Sequence, residues 1–392
     1  MIEGNRRVVL FVGGSIMPFC RFRRSLIRTL VENHNCHVIC AYWGDSGDGI
    51  FAPFEMPGVS WADLGGNHAT PPGRGDLGPL RRLTRLIRRH RPDTICCFNA
   101  KPIVLTPAII RLVHPQARIV ALMEGLGSAL SFLLREDAGP KRWLFRNLTR
   151  CMDQWVLLNP RDAALIGRLH GHMAEKIAVV PGVGTNTRRF FPAADPLAAR
   201  RLVFVGRLVQ EKGIGFFLDL ARHLKRRGSD WRLAIAGLPA AQGKITSDDI
   251  QRWLDEGCVE SCGPVSNMPE FYRNASALIF PSVYEEGLPA AIMEAQSSGL
   301  PCLVRDTPAM QNTIVEGQTG FLLPDNDPEL WAERLDRLCD PKLFTDFSRA
   351  ARRHASEVYD RDRINARLSS ILLEDKETAP RGYRGLVPSV TR

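Results

Sequence analysis

The sequence predicts an α/β protein built from two Rossmann-like, doubly wound domains facing a cleft, and three observations carry that expectation. Short β-branched apolar runs alternate with stretches of helical period along most of the chain, the pattern of parallel strands covered by helices. A turn-rich, Ala/Pro-rich piece at 190–200 interrupts the alternation, which then starts afresh. The length of 392 residues exceeds one ordinary core and suits two domains of roughly 180 residues each.

The first strand is 7–12 (RVVLFV), closed by Gly13-Gly14. Arg6 and Arg7 stand before its apolar run, but the glycines break that run and no convincing cleavage site follows, so a buried strand is expected rather than a signal peptide. A helix over 20–33, a strand at 36–41 (CHVICA) and a Gly/Asp/Pro-rich stretch at 44–79 come next. Then follow a basic helix 79–91, a strand 94–98, a helix 103–113 and a strand 118–123. A strand at 154–158, a helix at 160–170 and a strand at 176–180 complete a first domain placed at 1–195.

The second domain, 196–372, opens with a strand at 201–206 and a helix at 214–227. Strands at 231–236, 258–262, 276–280, 301–304 and 320–323 alternate with helices at 247–256, 267–274, 290–298, 309–315 and 328–338. Residues 341–374 read as helical, with the last helices able to pack back on the first domain, and 373–392 as a basic, flexible tail.

The composition is 44% hydrophobic and 24% charged, and no apolar run approaches the roughly 20 residues of a spanning helix. That reads as a soluble fold. The ten cysteines show no ligand-set spacing: Cys258 and Cys262 lack a second pair, and Cys96-Cys97 sits in an apolar run. Reduced thiols in a cytosolic protein are expected. A net charge of +10 favours an anionic partner, with nucleic acid, anionic lipid and nucleotide phosphates all eligible. No recognisable RNA-binding arrangement of aromatic and basic residues is present, so nucleic acid is not expected.

Two clusters in the second half carry chemistry. In VFVGRLVQEKG, Gly206 follows a strand, and Arg207 and Lys212 lie on the next loop. A glycine admits close backbone approach, and the two cations suit phosphate oxygens, Arg207 as a fixed fork and Lys212 as a mobile point charge. A solvated basic turn reads equally from the spacing. In FPSVYEEGLPAAIMEAQSSGLP, a loop with Glu285, Glu286, Gly287 and Leu288 leads to Pro289, placed at the first turn of a helix. Unpaired N–H groups and the helix dipole there make an anion site without a metal. Glu286 before the helix and Glu294 one turn into it repel phosphate, so they suit sugar hydroxyls, or else are an N-terminal acid and an ordinary surface glutamate. Asp325-x-Asp327 is read as a helix cap.

The run GRLVQEKG, IAG (235–237), EEGLPAAIMEAQSSGLP and EGQTGFLLP resembles the GT-B glycosyltransferases of family 4, whose second domain carries two acids separated by seven residues, as Glu286 and Glu294 are. The resemblance implies that Arg207 and Lys212 contact a donor diphosphate, Glu294 the ribose and Glu286 the donor sugar. Gly287, Leu288 and Pro289 would assist, with Val265 and the loop after Gly237 beside the base. It implies retaining chemistry, a nucleotide-sugar donor of the UDP type, and no divalent metal.

In the first half, Gly13-Gly14, FNAKP (98–102), MEGLGS (123–128), LLNPRD (157–162) and PGVGTNTRRF (181–190) resemble the subgroup that builds lipid-linked glycans. The implied acceptor is a polyprenyl-diphosphate-linked saccharide, with the protein peripheral on the cytoplasmic face of the inner membrane. Many relatives carry a histidine where this chain has Glu124. That carboxylate either orients the acceptor hydroxyl or caps the Gly125-x-Gly127 turn, so the base stays open.

Two segments suit an anionic membrane surface. RRLTRLIRRHR (81–91) places Leu83, Leu86 and Ile87 on one helical side among arginines, which fits either lipid headgroups or packing on the sheet. SALSFLLREDAGPKRWLFRNL (128–148) interleaves Phe132, Leu133, Leu134, Trp143, Leu144 and Phe145 with Arg135, Lys141, Arg142 and Arg146. Arg21, Arg23 and Arg24, with Lys101 and Gly125, are further acceptor-side candidates. A nucleotide-sugar epimerase of the same fold and a non-catalytic glycan- or nucleic-acid-binding protein are the alternatives.

Overall fold

The computed structural model describes residues 6–44, 51–125, 130, 139–171, 174–239, 245–284 and 287–374. Contacts divide the chain at Val183/Gly184 and again at Asp362/Arg363, so that the residues after Asp362 rejoin the first unit.

The first unit is a parallel sheet of seven strands: β1 (Val8–Gly13), β2 (His37–Tyr42), β3 (Val59–Asp63), β4 (Thr94–Phe98), β5 (Arg118–Met123), β6 (Gln154–Leu157) and β7 (Ile177–Val179). Their spatial order is β3-β2-β1-β4-β5-β6-β7. Leu10, Val12, Ile95, Ile119 and Trp155 pack on one face and Val9, Phe11, Cys96, Val120 and Val156 on the other. The sheet is covered on both sides, which explains its unbroken apolar strands.

Three details differ from the sequence expectation. The Gly/Pro-rich stretch 44–79 contains β3, an edge strand whose Trp61 packs edge-on against Phe54 and Phe19 at 4.9 and 5.6 Å between ring centroids. The helix expected at 103–113 is two, Ala100–Leu105 and Pro107–Val113, because Pro107 has no N–H to continue the first. The helix expected at 20–33 begins as a wider π-helical turn, Phe19–Arg23, before the α-helix Arg24–His34.

The second unit is a parallel sheet of six strands: β8 (Arg201–Val205), β9 (Arg232–Ala236), β10 (Ser261–Gly263), β11 (Ala277–Phe280), β12 (Cys302–Arg305) and β13 (Gly320–Leu323), ordered β10-β9-β8-β11-β12-β13. Its start precedes the 190–200 piece: Phe190 lies in its core, Ser276 Oγ donates to the Pro196 carbonyl at 2.7 Å, and Thr185 N donates to Tyr359 O at 2.8 Å. A turn-rich composition marked a surface segment there, not a boundary. Residues 309–315 form turns rather than a helix, and the Thr313 carbonyl is taken by Gln296 Nε2 at 2.7 Å and Tyr359 Oη at 2.9 Å.

The helical stretch after 341 breaks at Tyr359-Asp360 into Pro341–Val358 and Arg361–Leu373. From Arg363 the second helix belongs to the first unit, where Ile364, Leu368 and Leu372 join the core and Thr94 Oγ1 donates to Leu372 O at 2.9 Å. Among the described residues no helix is long and apolar enough to cross a membrane.

Candidate functional site

In each sheet the strand order reverses direction at one place, between β1 and β4 in the first unit and between β8 and β11 in the second. Crevices at the carboxyl ends of such strands are where doubly wound sheets bind ligands. Gly13 closes β1 and Gly14 follows it at the first of these places, and Gly206, Arg207, Lys212 and the loop after β11 lie at the second.

In the second unit, Gly206, Arg207 and Lys212 follow β8, and residues 281–289 follow β11. The two loops are joined: Val283 N donates to Glu211 O at 3.0 Å, and Gly213, at φ +80°, packs so closely on Pro281 that an added Cβ would lie 2.5 Å from its carbonyl oxygen. Lys212 is half-buried, its ammonium 5.9 Å from the Phe280 ring centroid and 5.5 Å from that of Tyr284. Aromatic faces on two sides hold that charge at the end of β11. Arg207 is exposed, and its guanidinium has no hydrogen bond or ion pair among the described residues.

The helix after β11 is Ala290–Ser297, with Pro289 as its N-cap in extended conformation, φ −65° and ψ 129°. Pro289 therefore stands one position before the first helical turn. Its carbonyl accepts from Ile292 N and Met293 N at 3.2 and 3.4 Å. The Ala290 and Ala291 N–H groups are thus left without a carbonyl partner among the described residues.

Ala291, Ile292, Met293, Ala295, Gln296 and Ser297 are buried, whereas Ala290 and Glu294 reach solvent together. Four residues apart, they share one side of the helix. Glu294 is therefore a half-buried acid on the side of the helix that reaches solvent. Gly287 and Leu288, just before the helix, and Val265, after β10, are half-buried, while Glu285 and Glu286 lie outside the described residues.

Gly237 has a structural reason to be glycine: a Cβ there would sit 1.9 Å from the Gly206 carbonyl oxygen. Gly13 likewise, since its Cβ would strike the Phe98 ring at 2.4 Å. The Gly14 N–H is engaged by Asn99 Oδ1 at 3.2 Å. Asn99 itself takes φ 65°, ψ 157°, an uncommon conformation for a residue other than glycine, immediately after β4.

In the first unit Glu124 follows β5. Its Oε1 accepts from Arg23 Nη2, with Arg23 1% exposed and Glu124 25% exposed. Arg23 Nε has no hydrogen-bond partner among the described residues. Arg23 is thus committed from the interior to Glu124 rather than exposed at the surface. No motif announces this pair, because the partners are far apart in the chain.

Lys101 is also committed inside. At 6% exposure it pairs with Asp76 Oδ1 at 2.8 Å and donates to Asn67 O at 2.8 Å. Lys101, Gly73 and Trp43 hydrogen bonds outweigh the raising effect of burial and hold the Asp76 carboxyl below its usual range. Lys101 ties down the loop before the basic helix through these bonds.

Arg21 and Arg24 are exposed, Arg24 lying 4.9 Å over the Phe54 ring. In the helix Gly139–Thr149, Trp143 and Leu144 are 66% and 51% exposed, Arg142 is half-buried, and Phe145 is buried in the core. Phe145 therefore leaves the interfacial set. Phe132, Leu133, Leu134 and Arg135 lie outside the described residues. On the basic helix, Leu77–His90, Leu83 and Ile87 pack inward and Arg81, Arg85, Arg88 and Arg89 point out. No group of three or more His, Cys, Asp or Glu forms a metal-ligand set among the described residues. Asp327 caps the helix Pro328–Arg337 through Glu329 N at 3.0 Å.

Comparison with known proteins bears on both units. Residues 199–340 match the family model described as "Glycosyl transferases group 1". The putative colanic acid biosynthesis glycosyltransferase WcaL of Escherichia coli K12 is 28% identical over 55% of this chain and 56% of its own length. An E. coli UDP-Gal:alpha-D-GlcNAc-diphosphoundecaprenol alpha-1,3-galactosyltransferase is 24% identical over 71% of this chain and 74% of its own. The chain spans about half the length of the first curated relatives it matches, such as WcaL at 56%.

Among solved structures, Anabaena HepE in complex with UDP superposes with a TM-score of 0.75 at 14% identity, covering 93% of this chain and 99% of that one. Sucrose-phosphate synthase from Thermosynechococcus elongatus gives 0.73 at 17% identity over 94% and 99%.

Proposed function

We propose that this chain, a GT-B protein of the group 1 glycosyltransferase type, is a retaining, metal-independent glycosyltransferase. It would move a hexose or N-acetylhexosamine from a nucleotide diphosphate, of the UDP type, to a hydroxyl of a polyprenyl-diphosphate-linked saccharide in surface glycan assembly. One observation carries the reading: Arg207, Lys212 and the start of the helix Ala290–Ser297 follow neighbouring strands at the second sheet's reversal point. HepE with bound UDP and the E. coli diphosphoundecaprenol galactosyltransferase support the donor and acceptor classes.

The chemistry follows from where charge grows. As the bond between the anomeric carbon and the phosphate oxygen breaks, negative charge builds on the departing diphosphate. Arg207, Lys212 and the open amides at Ala290 and Ala291 stabilise it, so no divalent cation is required. Glu294 accepts hydrogen bonds from the ribose diol and Glu286 from the transferred sugar, with Gly287, Leu288 and Pro289 shaping the loop and Val265 and Gly237 flanking the base. The acceptor oxygen forms its bond on the face the phosphate leaves, and its proton passes to the departing phosphate oxygen. That route gives retention without a covalent sugar–enzyme intermediate.

On the first unit, Glu124, anchored by Arg23, orients the acceptor hydroxyl, with Gly13, Gly14 and Gly125 giving the backbone near it. Arg21, Arg24, Arg142 and Trp143 meet an anionic membrane surface, which places the protein at the cytoplasmic face of the inner membrane. The test is to incubate the protein with UDP- and GDP-sugars and short-chain polyprenyl-diphosphate saccharides, with and without EDTA, and to determine product mass and anomeric configuration. A product with retained configuration, undiminished by EDTA, is expected. An inverted product or donor epimerisation without acceptor would overturn the reading.

A further inference from the structure

The reversal point of the first sheet lies between β1 and β4, and one side chain bridges it. The Gly14 N–H, just past β1, donates to Asn99 Oδ1, just past β4, at 3.2 Å. An N–H can only donate, so this bond fixes the amide with its oxygen toward Gly14 and its Nδ2 turned away. Nδ2 has no hydrogen-bond partner among the described residues, and Asn99 is half-buried. The backbone of Asn99, at φ 65° and ψ 157°, occupies a region that glycine takes freely and other residues take only under strain. The bond to Gly14 uses the amide oxygen alone, and two donors of fixed direction are what the strained asparagine supplies beyond it.

His68 stands on the other side of the same glycine: a Cβ built on Gly14 would lie 3.5 Å from Asn99 Oδ1 and 3.6 Å from His68 Cβ. Lys101, two residues after Asn99, holds the loop of His68 in place by donating to the Asn67 carbonyl at 2.8 Å. The charges at the ends of β4 and β5 are balanced from within. Lys101 pairs with Asp76 at 2.8 Å, and Glu124 pairs with Arg23.

We propose that Asn99 is a specificity-determining residue for the acceptor: its Nδ2 donors, presented between β1 and β4, hydrogen-bond oxygen atoms of a neutral sugar rather than the diphosphate that carries it. The inference rests on the acceptor reading given above. A diphosphate taken out of water calls for a cation free to meet it, and Lys101 and Arg23 are engaged by carboxylates. Sugar oxygens need only a well-aimed donor. A donor held in this way discriminates against a ligand that lacks the matching oxygen, because it is then left unpaired.

The test measures, by calorimetry on the full chain, affinities for farnesyl-diphosphate-linked N-acetylglucosamine and for farnesyl diphosphate, which has the same anionic lipid and no sugar. The wild type should prefer the sugar-bearing lipid by about tenfold or more. Asn99→Gly relaxes the backbone and removes the amide. It should lose most of that preference, leave farnesyl diphosphate affinity unchanged and keep the melting temperature close to that of the wild type. Asn99→Asp keeps an oxygen for Gly14 but not the donors, and should shrink the ratio severalfold. A preference retained by both variants overturns the assignment of Asn99 and leaves the acceptor reading standing. Loss of both affinities together with a lowered melting temperature makes Asn99 purely structural and overturns it as well. If the wild type binds neither lipid, or binds them equally, the acceptor reading itself fails.

Discussion

In the proposed mechanism Arg207 and Lys212 do one job by different means, and their environments separate the expected effects of mutation. Arg207 is exposed with no partner among the described residues, so Arg207→Ala should leave stability nearly unchanged and lower kcat by about 10²- to 10³-fold. Lys212 sits 5.5 Å from the Tyr284 ring centroid, so Lys212→Ala should cost similar activity and also some stability. Steady-state kinetics with a fixed nucleotide sugar, beside a thermal melt, checks both. Glu124 is a sharper case. Replacing it by glutamine leaves Arg23, 1% exposed, with an uncompensated charge, a loss of about 3 kcal/mol when one partner of a buried pair is removed. The same change should lower kcat about 10²-fold in the folded fraction. An unaltered kcat beside a lowered melting temperature would leave Glu124 purely structural.

Elements, rather than single side chains, set the spacing at the second sheet's reversal point. β8 and β9 end so close together that Gly237 allows no Cβ beside the Gly206 carbonyl, 1.9 Å away. Gly237→Ala should therefore destabilise by about 1–3 kcal/mol through forced backbone displacement, with a melting temperature several degrees lower as the readout. Most strands were legible because a parallel sheet covered on both faces needs continuous apolar runs: 94–98, 118–123 and 320–323 coincide with β4, β5 and β13. β3 was hidden, since Val59–Asp63 is a short, half-buried edge between Gly58 and Gly65. The turns at 309–315 were misread as helix because helical period cannot show that the Thr313 carbonyl is claimed by Gln296 and Tyr359. The loop positions of Arg207 and Lys212 after β8, and of Glu294 on the helix after β11, were legible from the sequence. The Arg23–Glu124 pair was not, because it is made by tertiary packing between residues distant in sequence.

Across the whole molecule the net charge of +10 is unevenly spent, and the helices Leu77–His90 and Gly139–Thr149 hold much of what faces outward in the first unit. Exposed Trp143 and Leu144 beside Lys141 and Arg146 should insert shallowly into anionic vesicles. A Trp143→Ser/Leu144→Ser double variant should lose most vesicle binding in a flotation assay, and raised salt should weaken the wild type. Stability should also depend on pH through His354, whose burial lowers its pKa below the ordinary 6.5. The unfolded chain then binds the proton first, so stability should fall as pH drops below about 6.5 and continue falling to the depressed folded value. Denaturant melts of wild type and His354→Gln at pH 7.5 and 5.5 check the sign: the variant should lose less. The most direct test of the central claim is a crystal structure of the protein with bound nucleoside diphosphate. The account predicts both phosphates within hydrogen-bonding distance of Arg207, Lys212 and the amides at Ala290 and Ala291, with Glu294 on the ribose. Phosphates bound away from the ends of β8 and β11 would contradict it.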